Sequence, residues 1–129
     1  MKKLTMLVAV IALFLAAAPV RAHHSFAAEF DASKPVTVTG TVTKVEWMNP
    51  HVWFYADVKD ESGKTANWGF ELGSPNGLMR SGWSRTSMKQ GDTVTVEGSR
   101  AKDGSNHVNA RTVTVGGKKM FAASSQGTQ

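Results

Sequence analysis

Five segments of this chain alternate apolar and polar residues, and turn-forming residues separate these segments from one another. The first reads VTVTGTV from Val36 to Val42, in which every residue except Gly40 is β-branched and apolar valine alternates with polar threonine. A period of two with β-branched residues is typical of a strand with one buried face. The pattern therefore predicts an all-β fold with strands over residues 36–47, 51–58, 65–72, 92–100 and 107–115.

The alternation changes phase within the first predicted strand. Val45 and Trp47 have the opposite parity to Val38 and Val42, which indicates a bulge or strong coil near Thr43, or a strand that serves two faces. A long first strand that bends in this way joins the two sheets of an OB-fold barrel.

A short helix is predicted between the third and fourth strands, within residues 74–83. Ser74 suits the N-cap and Pro75 the first helical position, while Leu78, Met79 and Trp83 give the helix an apolar side. Five strands with a helix in this place follow the order of an OB-fold. An immunoglobulin-like sandwich is the alternative, but it requires about seven strands. We therefore expect an OB-like barrel over residues 36–115.

The apolar parity of the strands also predicts which side chains are buried. In the second strand, inward-facing Val52 and Phe54 leave Trp53 and Tyr55 on the outer face. We expect an N-terminal segment, residues 23–35 with Phe26 and Phe30, to cover that face. The strand residues expected in the core are Val38, Val42, Phe54, Trp68, Val94, Val96 and Val113, and Trp47, Phe70 and Trp83 are also expected to be core aromatics.

The first 22 residues have the pattern of a signal peptide. Lys2 and Lys3 precede an apolar run from Leu4 to Ala18, and small residues at Val20 and Ala22 suit a signal peptidase. That run is shorter than the roughly 20 residues that cross a bilayer, so no membrane anchor is expected after cleavage. We therefore expect a periplasmic or secreted protein that begins at His23.

Composition then limits the function classes. Without Lys2, Lys3 and Arg21 the mature chain has 12 basic and 10 acidic side chains, and these are scattered. A nucleic-acid-binding protein is expected to concentrate its basic residues, so no nucleic-acid partner is expected. The chain has no cysteine, so the fold must rest on its hydrophobic core. Residues 116–129, rich in Gly, Ser, Ala and Lys, are predicted to form a tail that is disordered beyond Phe121.

Several segments of the chain occur together in a distinctive order. After the signal peptide come HHSFAAEFD, VTGTVTKVEWMNPHVWFYADV, WGFELGSPNGLMRSGW, GDTVTVEG and NARTVTV. In these segments the chain resembles a family of small exported Gram-negative bacterial proteins classed as a domain of unknown function. The resemblance covers almost the whole mature chain and implies export and an OB-like barrel. It brings no activity and no site residues.

The histidines suggest a metal site. At a mature N-terminus His23 offers an α-amine, whose pKa is about 7.7–8.0, and an imidazole to one metal ion. A further histidine would complete a three-nitrogen site of the histidine-brace kind, which suits Cu(II). His24 is adjacent to His23 and poorly placed, so His51 or His107 is the better second ligand. Solvated histidines at a chain start are the alternative interpretation.

A second hypothesis concerns the segment WMNPHVWFY. Met48 and His51 flank Asn49-Pro50, and a thioether beside an imidazole would suit Cu(I), although methionine more commonly fills a core. Trp53 and Tyr55 share the face on which OB-folds bind ligands. With Met48 they form a candidate surface for a protein or envelope partner, without metal.

Catalytic motifs are missing from the sequence. It has no cysteine nucleophile, no Gly-x-Ser-x-Gly segment and no glycine-rich phosphate loop. Glu71 and Arg80 are expected to form a surface ion pair. The chain is therefore not expected to be an enzyme. The predicted function is that of an exported binding protein, either a copper-binding protein or a partner-binding module.

Overall fold

The computed structural model describes residues 26–124, which form six strands and two short helices. In chain order these are α1 (Phe26–Glu29), β1 (Phe30–Glu46), β2 (Trp53–Lys59), β3 (Thr65–Glu71), α2 (Pro75–Arg80), β4 (Thr93–Ala101), β5 (His107–Val115) and β6 (Lys118–Phe121). The five predicted strands and the predicted helix are all confirmed. β1 begins earlier than predicted, so part of the expected N-terminal segment belongs to the sheet.

Strands β1 to β5 close into a barrel. The sheet order is β3-β2-β1-β4-β5-β6, and a parallel pairing between β3 and β5 joins the two sides. β1 pairs with β4 through its first half and with β2 through its second half, and its register with β2 shifts between Val42 and Lys44. The predicted bulge near Thr43 is confirmed. The fold is an OB-like barrel, and the sandwich alternative is wrong.

The barrel interior holds most of the predicted core. Val38, Val42, Phe54, Val94, Val96 and Val113 are buried, as is Trp83, whereas Trp47 and Trp68 are only partly buried against the core. The prediction for Trp68 is wrong because its ring lies at the barrel edge under the guanidinium of Arg100, 4.8 Å from the ring centroid. Phe70 fills the interior instead and stacks on Phe54 with 4.8 Å between ring centroids.

Helix α2 lies between β3 and β4 in the chain and contributes Leu78 to the core. Ser74 is its N-cap, and the Ser74 hydroxyl accepts a hydrogen bond from the Gly77 N–H at 3.1 Å. Leu78 is fully buried, whereas Met79 is 51% exposed. The expected apolar side of the helix therefore consists of Leu78 and the following Trp83, without Met79.

Residues 118–121 of the expected tail form a strand that the sequence did not predict. Gly116 and Gly117 have φ values of 56° and 78°, which glycine adopts without steric cost, and the chain turns back there. β6 then pairs with β5 and buries Met120 against the barrel. Residues 125–129 of the expected tail, and the predicted signal peptide at residues 1–22, lie outside the described residues.

Neither helix within residues 26–124 has the length and apolar content that crossing a membrane requires.

Candidate functional site

The strand register brings polar side chains together on the outer face of β2, β3 and β5. Trp53 pairs with Glu71, which in turn pairs with Asn109 across the parallel junction. The residues next to these three in their strands, Phe54, Phe70 and Val108, pair with one another in the same way and fill the interior. Because side chains alternate along a strand, the first row of residues lies on the opposite, outer face.

Glu71 is a buried carboxylate at the end of β3. Its side chain lies on the outer face, yet the residue is only 8% exposed. The fully buried Asn109 donates a hydrogen bond from Nδ2 to Glu71 Oε1 at 3.0 Å. Burial raises the pKa of the Glu71 carboxyl, the charge of His51 and the bond from Asn109 lower that pKa, and the charge of Glu29 adds to the rise.

His51 approaches the same carboxylate from the loop before β2. Its Nδ1 lies 3.8 Å from Glu71 Oε1, and 38% of its side chain is exposed. The backbone holds it there, since the Val52 N–H donates to Gly73 O at 2.9 Å and the Leu72 N–H donates to Val52 O at 2.8 Å. These bonds extend the β2–β3 pairing beyond Trp53 and fix the start of β2 beside Glu71.

His107 opens β5 and contacts aromatic residues of β2. Its ring meets the ring of Trp53 edge-on, with centroids 5.8 Å apart, and Tyr55 stacks on Trp53 at 6.4 Å. Gly69 makes room for the histidine, because a Cβ at that position would lie 2.8 Å from His107 Cδ2. The Ser105 hydroxyl lies 3.4 Å from His107 Nδ1.

The N-terminal helix forms one wall of a groove on this outer face. The groove has a volume of about 440 Å³ and is lined by Ala28, Glu29, Phe30, Trp53, Ala101, Lys102, Asp103, Ser105 and His107. Phe30 is buried and stacks on Phe26 with 5.9 Å between ring centroids, and the Lys102 N–H donates to Glu29 O at 2.9 Å. Residues 28–30 of the N-terminal segment, which was expected to cover Trp53 and Tyr55, therefore line the same groove as Trp53. We call this feature the N-terminal groove.

The predicted metal ligands are only partly brought together. His51 and His107 lie on the same face, the first beside Glu71 and the second beside Trp53. His23 and His24 lie outside the described residues. Among residues 26–124, no three His, Cys, Asp or Glu side chains are grouped so that they alone could hold a metal ion.

Met48 lies in the loop between β1 and β2 and is 54% exposed. The interpretation of Met48 as a core residue is wrong, because the chain has left the barrel wall by this position. The Met48 side chain is exposed. His51 lies in the same loop, directly after the cis Asn49–Pro50 peptide bond.

Glu71 and Asn109 were missed as site residues. The expected surface ion pair is wrong, because Glu71 is buried beside His51 and Asn109 while Arg80 is exposed on α2. A usable signal was present in the sequence. If β2 and β3 are paired residue by residue from the turn at residues 60–64, Trp53 lies opposite Glu71. This pairing places the Glu71 carboxylate on the same face as the aromatic side chains of β2.

Comparison with known proteins identifies the family. The profile of the family of unknown function DUF6152 matches residues 10–110. The chain therefore belongs to this family, in agreement with the resemblance seen in its sequence. No protein of curated function matches the chain.

One similar solved structure is the dimeric N-terminal domain of PriB protein from Thermoanaerobacter tencongensis. The similarity covers 64% of this chain and 96% of that chain, with 22% sequence identity and a TM-score of 0.43.

Proposed function

We propose that this DUF6152 protein is an exported binding protein, not an enzyme, that holds Cu(II) at its N-terminus. In this proposal, cleavage after Ala22 releases a periplasmic or secreted protein that begins with His23. The α-amine and imidazole of His23 then form a chelate with the ion, and a histidine of the barrel supplies a third nitrogen.

The position of α1 is the observation that carries this proposal. Residues 28–30 line the N-terminal groove together with Trp53 and His107. The negative charge of Glu29 contributes to the rise in the pKa of the Glu71 carboxyl. Two residues separate Phe26 from His23, and the three steps along the chain between them span at most about 10 Å. In this proposal His51 and His107, the histidines of the described barrel face, are the candidate partners of an N-terminal histidine.

The ligand chemistry favours divalent copper. An amine and two imidazoles give three nitrogen donors, which suit Cu(II). The described residues alone provide no complete ligand set. A site in this place would therefore require the N-terminal residues, and its metal affinity should depend on the free amine.

His51 is the better candidate for the third nitrogen. Its Nδ1 faces the Glu71 carboxylate, which leaves Nε2 available for a metal. His107 has its ring edge-on to Trp53 and packed over Gly69, with Nδ1 near Ser105. Moving His107 toward a metal would break more contacts than moving His51.

A single added residue tests the proposal. The authentic protein beginning at His23 is expected to bind Cu(II) more tightly than a form with one alanine before His23, because the extension converts the amine into an amide. Affinities are measured by competition titration with a chelator of known affinity, after N-terminal sequencing of the exported protein. Equal affinities in the two forms would rule out the N-terminal site.

A second candidate function rests on the exposed side chains of the same region. Met48 is 54% exposed, and Trp53 and Tyr55 stack on each other while only partly buried. These three residues would form a surface for an envelope protein partner without metal. This function is preferred if the authentic and extended forms bind copper equally.

A further inference from the structure

One edge of β1 has no partner strand in the part of the chain that the structure describes. From Pro35 to Thr41, β1 pairs with β4 in continuous register, whereas its pairing with β2 begins only at Thr41, opposite Asp57. Beyond Asp57, β2 continues to Lys59 and pairs there with β3 alone. β1 and β2 therefore diverge at Thr41, and the half of β1 before this residue is open on the side away from β4.

This open edge presents backbone hydrogen-bonding groups at two residues. The Val42 N–H donates to Asp92 O at 2.8 Å, and Val42 O accepts from the Gly91 N–H at 2.8 Å, so Val42 bonds toward β4. Because the direction of bonding alternates along a strand, Thr37 and Thr39 direct their N–H and C=O groups toward the open side. Within residues 26–124 these groups have no hydrogen-bond partner.

A cleft lies where β1 and β2 diverge. It has a volume of about 500 Å³, and its lining includes Thr39 and Thr41 from β1 and Asp57 and Lys59 from β2. Gly40 also lines the cleft, and a Cβ at this position would lie 2.6 Å from Asp57 O. The cleft therefore has space beside the open edge of β1 for an extended chain.

We propose that a second copy of this chain pairs with the open edge, β1 against β1 in antiparallel orientation, and forms a symmetric dimer. With Val38 of each copy on the two-fold axis, Thr37 of one copy lies opposite Thr39 of the other. The outward N–H and C=O groups of both residues are then all paired. A register centred on Thr37 or on Thr39 would leave some of these groups unpaired.

The side chains on the inner side of β1 fit the same register. Val36 of one copy lies opposite Gly40 of the other, where no side chain obstructs its approach. Val36 is only partly buried against the core in the single chain. The dimer therefore covers apolar surface that the barrel leaves accessible, in addition to pairing the backbone groups.

The ends of the paired segment also suit a second copy. Pro35 has no N–H to donate, and the residue opposite it in this register is Thr41, whose edge β2 already occupies. The two chains therefore separate at Pro35. Beyond it, exposed Lys34 of one copy comes toward exposed Asp57 of the other, and these side chains have opposite charges. The edge is thus complementary to itself in hydrogen bonding, shape and charge.

The dimer does not depend on copper, so it is tested on the metal-free authentic protein. Sedimentation velocity over a range of concentrations is expected to show an equilibrium between monomer and dimer. Hydrogen exchange resolved to single amides should be fast at Thr37 and Thr39 in dilute protein and slow in concentrated protein. The amides of Val38 and Gly40 bond toward β4 and are the internal control, slow at every concentration.

Three results of this experiment would overturn the proposal. The first is a protein that stays monomeric at every concentration. The second is a dimer in which the Thr37 and Thr39 amides still exchange fast, because it would use another surface. The third is slow exchange of these amides in the monomer, because another part of the same chain would then cover the edge.

A matched pair of variants tests the backbone contact directly. Thr39→Pro removes the outward N–H and leaves the bonds to β4 in place, so the dimer loses one hydrogen bond from each copy. Its dissociation constant is expected to rise by about 10–100-fold. Thr39→Val keeps the N–H and should dimerise as the unmodified protein does. Equal dissociation constants for the two variants would contradict the proposal. If Thr39→Pro does not fold, the exchange measurement on the unmodified protein decides.

Discussion

His51 and His107 show how two residues of the same type on one face differ in their surroundings. His51 has a buried carboxylate at Nδ1, and its side chain is 38% exposed. His107 packs between Trp53 and the bare backbone of Gly69. Their local sequences, each at the start of a predicted strand, do not distinguish them. The difference comes from the neighbours that the barrel supplies.

These surroundings predict unequal effects of two matched substitutions. His51→Ala should weaken Cu(II) binding by at least about 100-fold, because outer-shell changes alone cost about 10–100-fold. His107→Ala should weaken it much less, since that ring is engaged with Trp53. Both affinities are measured by competition titration on the authentic protein. A larger loss in His107→Ala would identify His107 as the barrel ligand instead.

At the scale of secondary structure, β6 is the element that the sequence failed to predict. The composition of its surroundings, rich in Gly, Ser, Ala and Lys, is typical of a disordered tail. The strand nevertheless buries Met120, and Ala122 beyond it is fully buried. Its backbone also serves other elements, because Phe121 O accepts from Trp83 Nε1 at 2.9 Å and Ala122 O accepts from the Gly73 N–H at 2.9 Å.

Removing β6 should therefore destabilise the barrel. A chain ending at Gly117 loses the burial of Met120, worth about 1.5–3 kcal/mol, and about 1 kcal/mol for each hydrogen bond that it breaks. We expect the free energy of unfolding to fall by about 3 kcal/mol or more in urea denaturation.

The control for this truncation is a chain ending at residue 124. It lacks only residues outside the described part, and we expect its urea midpoint to match that of the full mature chain. Equal midpoints for the chain ending at Gly117 and the full chain would show that β6 contributes nothing to stability.

At the scale of the whole molecule, the barrel and the proposed metal site have separate sources of stability. The chain has no cysteine, and the core is a continuous apolar cluster drawn from β1 to β6 and α2. Of the proposed metal ligands, His51 and His107 lie on the outer face of the barrel, and His23 precedes the barrel in the sequence. Folding should therefore not require the metal, unlike in small domains whose metal replaces a core.

A thermal denaturation experiment tests this separation. The metal-free authentic protein, prepared with a chelator, should unfold in a single cooperative transition. Free Cu(II) at about 100 times its dissociation constant should add less than about 2.7 kcal/mol of stability, because the His23 chelate also binds the ion in the unfolded chain and only the barrel histidine is lost there. The form extended before His23 should have the same metal-free Tm and a smaller increase with Cu(II). Loss of the folded state on chelation would contradict this prediction.

The sequence by itself determined the elements whose signals are local. Alternation of period two located five strands, the change of parity after Val42 located the bulge, and Ser74-Pro75 located the start of α2. These features depend on steric and hydrogen-bonding preferences within a few neighbouring residues. For the same reason the inward parity of Val94, Val96 and Val113 was predicted correctly.

Only the tertiary structure decided which residues meet across the chain. Glu71 is buried because β5 pairs beside it and His51 and Asn109 approach it, while Trp68, with the same parity as Phe70, is left at the barrel edge beneath Arg100. β6 exists because a turn at two glycines returns the chain to an open edge of β5. Such contacts join residues far apart in sequence, so their energies depend on the closure of the barrel and leave no local pattern by which they could be predicted.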